Sequence, residues 1–185
     1  MIRGRRRDGD RQKGQSLTEF ALFLPIVIIL LLAVGELARV YSTMIAVETA
    51  AREATDWGAL KPGNWEAVPV LQYPTTITEM ERRSCTPTRS LTEYAGDANG
   101  ATCTNPGFAC DLQLPGSATW VACDNPIESQ LCRELTGPST IPCKLRVTLT
   151  YTYDMIAPTE LLGLPASFTF TRTSIFNIAD ERSSS

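Results

Sequence analysis

Residues 13–36 read KGQSLTEFALFLPIVIILLLAVGE, and this stretch decides the architecture. From Phe20 to Val34 no side chain is polar, and twelve of the fifteen are Leu, Ile, Val or Phe. Extended from Leu17 to Gly35, the run makes a helix about 28 Å long, close to the roughly 30 Å hydrocarbon core of a bilayer. Twelve such residues favour insertion by about 4 to 7 kcal/mol, whereas one carboxylate at mid-membrane costs about 2.5 to 3.5 kcal/mol and less near the edge. Insertion therefore wins despite Glu19 at the mouth of the run. Pro25 lacks a backbone donor and is expected to loosen a turn there. An acid so placed is by default a functional candidate, because a charge is expensive in lipid.

The flanks agree. Residues 1–14, MIRGRRRDGDRQKG, carry a net charge of +4, which leaves −7 for the rest of a chain whose total is −3. A nucleic-acid binder would carry its basic residues on the folded domain, so the split argues against that class. A basic segment beside an apolar run instead keeps its own side cytoplasmic. Cys85, Cys103, Cys110, Cys123, Cys132 and Cys143 all follow the apolar run. An even number of cysteines, confined to the part that would be exported, predicts disulfides in an oxidising compartment. Six cysteines allow fifteen pairings, and their spacing selects none. With no CxxC and no histidine in the chain, no metal or cofactor site is expected. The usual general base is missing as well, so no enzyme is expected.

Helical patterning continues beyond the run. In ELARVYSTMIAVETAAREATDWG, residues 36–58, apolar or small side chains at 37, 40, 41, 44, 47, 51 and 54 follow one helix face. Glu48 and Arg52 stand four apart in the favourable order. Gly58 and then Pro62 predict the stop. The stripe has two candidate partners, the chain's own outer domain or other copies. A secretory signal cut after Gly35 competes with the anchor reading, but the helical pattern runs straight through that bond.

The order glycine, glutamate five positions later, adjacent aromatic, long Leu/Ile run and closing AAREA, from about Gly14 to Ala54, resembles the amino-terminal segment of TadE-like proteins. These are minor pseudopilins of the tight-adherence (Flp) pilus and secretion apparatus. The resemblance implies cleavage of a basic leader, residues 1–14, at the Gly14–Gln15 bond by a prepilin peptidase. It implies that Glu19 and Phe20 are the pilin-type glutamate and its aromatic neighbour. It also implies pilin or pseudopilin subunits and an inner-membrane assembly platform as partners, with lipid around the helix. The family's closing motif, often AAREGAR, reads Ala50-Ala51-Arg52-Glu53-Ala54-Thr55-Asp56 here. Physical chemistry fits these roles. Cleavage after Gly14 creates an ammonium at Gln15, one turn from Glu19, and opposite charges attract strongly where water is scarce.

The remainder, residues 60–179, is expected to be an exported domain, with 180–185 a frayed tail. Residues 60–143 are rich in turn formers and poor in periodicity, with Val68–Leu71 and Thr119–Val121 as short edge strands. Disulfides are the expected staples for so small a core. KLRVTLTYTYDM, 144–155, alternates as a half-buried strand. SFTFTRTSIF, 167–176, is a second, with Thr169, Thr171 and Thr173 on one face. Between them Ala157–Gly163 suggests a proline-opened helical turn. Glu79 and Glu81 are expected to be solvated charges, and Trp57, Trp65 and Trp120 core or interface anchors. The fold class is thus α+β: a long transmembrane and amphipathic helix (15–59) packed on a small antiparallel sheet outside the cytoplasmic membrane. Two other functional classes fit the same outline, a single-pass adhesin or receptor and a secreted disulfide-rich protein.

Overall fold

The computed structural model describes residues 9–60, 72–124, 143–156, 163 and 165–178. Helix α1 (Gly9–Leu60) is continuous over 52 residues, with Pro25 inside it. Helix α2 (Gln72–Thr88) packs along its outer half. Among the described residues six strands follow: β1 (Ala95–Gly96), β2 (Cys103–Asn105), β3 (Gly107–Gln113), β4 (Val121–Ala122), β5 (Lys144–Asp154) and β6 (Ser167–Asn177). Strands β1 and β2 make a small ribbon, and the main antiparallel sheet runs β4-β3-β5-β6. The class is α+β, as expected.

The two long strands alternate as their sequences predict. Leu145, Val147, Leu149, Tyr151 and Tyr153 are all fully buried and face the helices. Cross-strand pairing sets Phe170 opposite Tyr151 and Phe168 opposite Tyr153 on that same side. Their rings lie 5.6 and 5.4 Å apart, within the range of favourable tilted aromatic contacts. The opposite face is polar and uncovered: Thr150, Thr152, Thr169, Thr171 and Thr173 are exposed on it. Helix α1 lies across β5 and β6 on the apolar side, and Val47, Ala50, Ala51 and Ala54 fill the seam. Small side chains there let helix and sheet approach closely.

The buried face of α1 is rotated from the predicted stripe. Val47, Ala51 and Ala54 are buried and Val40 and Met44 half-buried, but Leu37 and Tyr41 are 70% and 66% exposed. At 3.6 residues per turn, Tyr41 lies about 120° round the helix from Val47. Glu36, Thr43 and Ala50 share Val47's side instead, and Thr43 and Ala50 are buried. So the outer domain of the same chain covers the stripe from Val40 outward. Gly58 does not end the helix, which continues to Leu60. A Cβ on Gly58 would stand 2.7 Å from both Leu145 Cδ2 and Met80 Sδ. The residue is small because two other elements come close there.

Helix α2 was not expected from the sequence. Its buried positions are Thr76, Met80, Ser84 and Thr88, four apart, together with the disulfide-bonded Cys85, and Met80 is the one large apolar side chain among them. A search for apolar periodicity misses such a stripe. The hydroxyls of Ser84 and Thr88 donate to the carbonyls of Glu81 (2.7 Å) and of Ser84 and Cys85 (3.1 and 2.9 Å), so their burial leaves no donor unmet. Pro74 stands in the first turn, where a missing N–H costs little. Glu79 is not a freely solvated charge. The guanidiniums of Arg82 and Arg83 bind it at 2.6 and 2.9 Å, and Arg82 above all holds its carboxyl below the usual range. Burial pushes the half-buried Glu81 up.

Disulfides join Cys85 to Cys103 and Cys110 to Cys123, fastening α2 to β2 and β3 to the turn after β4. Cys143 is disulfide-bonded as well, and Cys132 lies outside the described residues. Trp57 packs on the core with Arg83 5.1 Å above its ring, and Trp120 carries Arg146 at 4.3 Å. Of the expected edge strands, Thr119–Val121 corresponds to β4, shifted to Val121–Ala122. Trp65, Val68–Leu71, most of the Ala157–Gly163 turn and the 180–185 tail lie outside the described residues.

Candidate functional site

The candidate site has two parts, both on α1. The first is the inner half of the helix. Every residue from Ser16 to Gly35 is exposed. Phe20, Leu22, Phe23 and Leu31 are each at least 64% exposed. Such a surface, far beyond the few hundred Å² that a soluble monomer tolerates, demands a non-aqueous neighbour or a partner. Its length and apolarity suit a membrane crossing. Gly14, Gln15, Glu19 and Phe20 all lie within α1, on successive turns, and Glu19 and Phe20 are exposed. The fold thus brings these four no closer than helical spacing already did.

The second part is a polar collar where the apolar surface ends, and sequence reasoning missed it. Glu36, directly after the exposed run 16–35, is half-buried. Its Oε1 accepts hydrogen bonds from the Tyr153 hydroxyl and the Ile156 backbone N–H, both at 3.1 Å. Arg39, one turn on, binds Glu36 Oε2 and Glu93 Oε1 at 3.3 Å each, and reaches Thr92 Oγ1 at 3.3 Å. Its guanidinium lies 5.3 Å from the Tyr153 ring centre. Tyr151 donates its hydroxyl to Glu93 Oε2 at 3.0 Å. The Glu93 carbonyl accepts from Asn105 Nδ2 at 2.6 Å, and Asn105 also exchanges hydrogen bonds with the Thr152 backbone at 2.9 Å. Three parts of the fold thereby converge on α1 at one level: the loop after α2, the end of β2 and the end of β5.

Electrostatics favour the neutral tyrosines. Burial, then the hydrogen bond to the Glu36 carboxylate, push the Tyr153 hydroxyl up to about 12. Burial and Glu93 push Tyr151 upward more strongly. Each phenol therefore stays a donor to an acid at neutral pH, and each acid keeps its negative charge partnered. Chemically the collar fixes orientation; nothing in it is arranged as nucleophile and base. Its one sequence signal was Glu36 on Val47's side of the helix, a charge at a core-facing position. The tyrosines and Glu93 are far off in sequence, so only the fold assembles the set.

Among the described residues, no group of three or more Cys, Asp or Glu side chains is placed to hold a metal ion. A shallow cleft of about 280 Å³ lies beside the Cys110–Cys123 bridge, lined in part by Ile77, Phe108, Asp111 and Asp124.

Residues 14–56 match the family described as TadE-like protein. The matched stretch begins at the glycine of the expected cut and ends within the outer half of α1, just short of Trp57. The match supports a pseudopilin-like role associated with the tight-adherence pilus, in a family whose members are generally structural. No curated protein and no solved structure matches the chain.

Proposed function

We propose that this chain is a minor pseudopilin, a non-catalytic assembly subunit of a tight-adherence pilus or related secretion apparatus. A prepilin peptidase cuts the Gly14–Gln15 bond at the cytoplasmic membrane face and removes the basic leader. The inner half of α1 stays in the bilayer with its N-terminus cytoplasmic, and the disulfide-bonded domain lies outside. Glu19, one helical turn from Gln15, then neutralises the new ammonium within its own chain or on a neighbour, where low dielectric makes the attraction strong. Subunits of the apparatus and its inner-membrane platform pack against the exposed helix.

The observation that carries this reading is the family match starting at Gly14, on a helix whose residues 16–35 are wholly exposed. Release by signal peptidase after Gly35 is less favoured, because that bond lies inside a continuous helix and next to Glu36 of the collar.

The test is intact mass and N-terminal sequence of the protein from its native membranes. A start at Gln15, abolished by Gly14→Val, is the expected result. A start at Glu36 refutes the assignment in favour of a secreted protein, and an uncleaved leader favours a plain single-pass receptor or adhesin. Glu19→Ala is expected to leave cleavage intact and to reduce incorporation into the assembled apparatus.

A further inference from the structure

The collar fixes more than the domain's orientation. Ile156 lies just past the end of β5 and is 70% exposed, a large apolar side chain facing outward. Its backbone N–H donates to Glu36 Oε1 at 3.1 Å, and its neighbour Met155 donates to the Ala166 carbonyl at 2.8 Å. Ile156 is therefore tied, through a charged acceptor, to the level of the first α1 residue beyond the exposed apolar run. Leu37, adjacent to Glu36, is 70% exposed, and Tyr41, one turn further, is 66% exposed. Along the helix Leu37 is about 3 Å and Tyr41 about 9 Å from Gly35.

A bilayer's polar interface is about 5 to 8 Å deep on each side of its hydrocarbon core. If the run ending at Gly35 spans that core, Leu37, Ile156 and Tyr41 fall in or at the rim of the interface. Aliphatic and tyrosyl side chains are favoured there, and tyrosine is enriched there because one end is apolar and the other wet. We infer that the helix-exit end of the outer domain, presenting Leu37, Tyr41 and Ile156, is a lipid-contact surface seated in the headgroup layer. The occupant is the bilayer itself, because this patch continues the lipid-facing surface of α1. The charged members of the collar are partnered with one another and with the Tyr151 and Tyr153 hydroxyls, while the side chains of these three stand exposed. The domain thus rests on the membrane and does not swing clear of it on a bare stalk. This inference rests on the membrane-spanning part of the proposed function.

The test uses the full chain in phosphatidylethanolamine–phosphatidylglycerol vesicles. An environment-sensitive fluorophore is attached to one introduced cysteine at a time: Ile156→Cys, Leu30→Cys within the span, and Thr171→Cys on the uncovered sheet face. Unmutated protein treated in parallel supplies the background. Lipids with quenchers at headgroup level and deep in the acyl chains then report depth. The expected result is strong deep quenching at 30 and headgroup-level quenching at 156 several-fold greater than at 171. Because Ile156 is so exposed, its replacement leaves the core untouched. Quenching at 30 with 156 as dry of quencher as 171 overturns the lipid-contact surface and leaves the span standing. Equal quenching at 156 and 171 overturns it too, because the contact is then not confined to the helix-exit end. Loss of quenching at 30 itself refutes the span, and the inference falls with it.

Discussion

Tyr153→Phe removes a single oxygen from the collar. Tyr153 is fully buried, so phenylalanine fills the same space against Phe168 and leaves no cavity. What disappears is the hydroxyl donated to Glu36 Oε1. Hydrogen bonds to a charged group are worth about 1.5 to 3 kcal/mol. Glu36 keeps Ile156 N–H and Arg39, which argues for the lower half of that range, about 2 kcal/mol. At roughly 3 to 5 °C per kcal/mol for a domain of this size, Tm should fall by about 6 to 10 °C. The assay is thermal unfolding of the full chain in detergent, followed by tryptophan fluorescence, since Trp57 sits on the core that must open.

A second signature separates this mechanism from a general loss of packing. The folded Tyr153 holds its proton to about pH 12, while an unfolded tyrosine releases its proton near 10. A pKa raised in this way gives stability that is complete below pH 10 and is lost as pH climbs to 12. Over that window each such tyrosine steepens the decline by up to about 1.4 kcal/mol per pH unit. Tyr153→Phe should therefore unfold earlier at pH 7, yet lose stability less steeply between pH 10 and 12. An unchanged Tm with an unchanged alkaline slope would refute the claim that the collar joins domain to helix.

Two further substitutions test the packing. Gly58→Ala gains about 1 kcal/mol of helix propensity but drives a methyl into Met80 and Leu145, at an overpacking cost of about 1 to 3 kcal/mol. The variant should be net destabilised in urea unfolding, and the same change should cost less in a Met80→Ala background, where part of the space is vacated. On β6 the bonds Met155 N–H to Ala166 and Ile178 N–H to Cys143 set the ladder's phase: even-numbered residues bond to β5 and odd-numbered ones face the free edge. Thr171→Pro should consequently cost far less than Arg172→Pro in denaturant midpoint, by about 1 kcal/mol or more. Equal losses would contradict that phase.

The amino-acid sequence by itself settled the features that depend on local pattern. An apolar run long enough for a bilayer, with a period-3.6 continuation, is helical wherever it sits. The Leu145–Tyr153 alternation is a half-buried strand in any partner's company, and β5 and β6 were legible for that reason. The glycine, glutamate and aromatic at 14, 19 and 20 are likewise a matter of spacing along one helix. Tertiary structure decided whatever depends on which distant surfaces meet. It rotated the buried face of α1 away from Tyr41, because the sheet meets the helix on the Glu36–Val47–Ala54 side. It made a helix of residues 72–88, in which Ser84 and Thr88 bury without an apolar signal once their hydroxyls bond to their own helix. It paired Cys85 with Cys103 and Cys110 with Cys123, a choice among fifteen that spacing leaves degenerate. Above all it brought Glu36, Arg39, Glu93, Tyr151 and Tyr153 together across more than a hundred residues, because a buried carboxylate is stable only where folding supplies its donors.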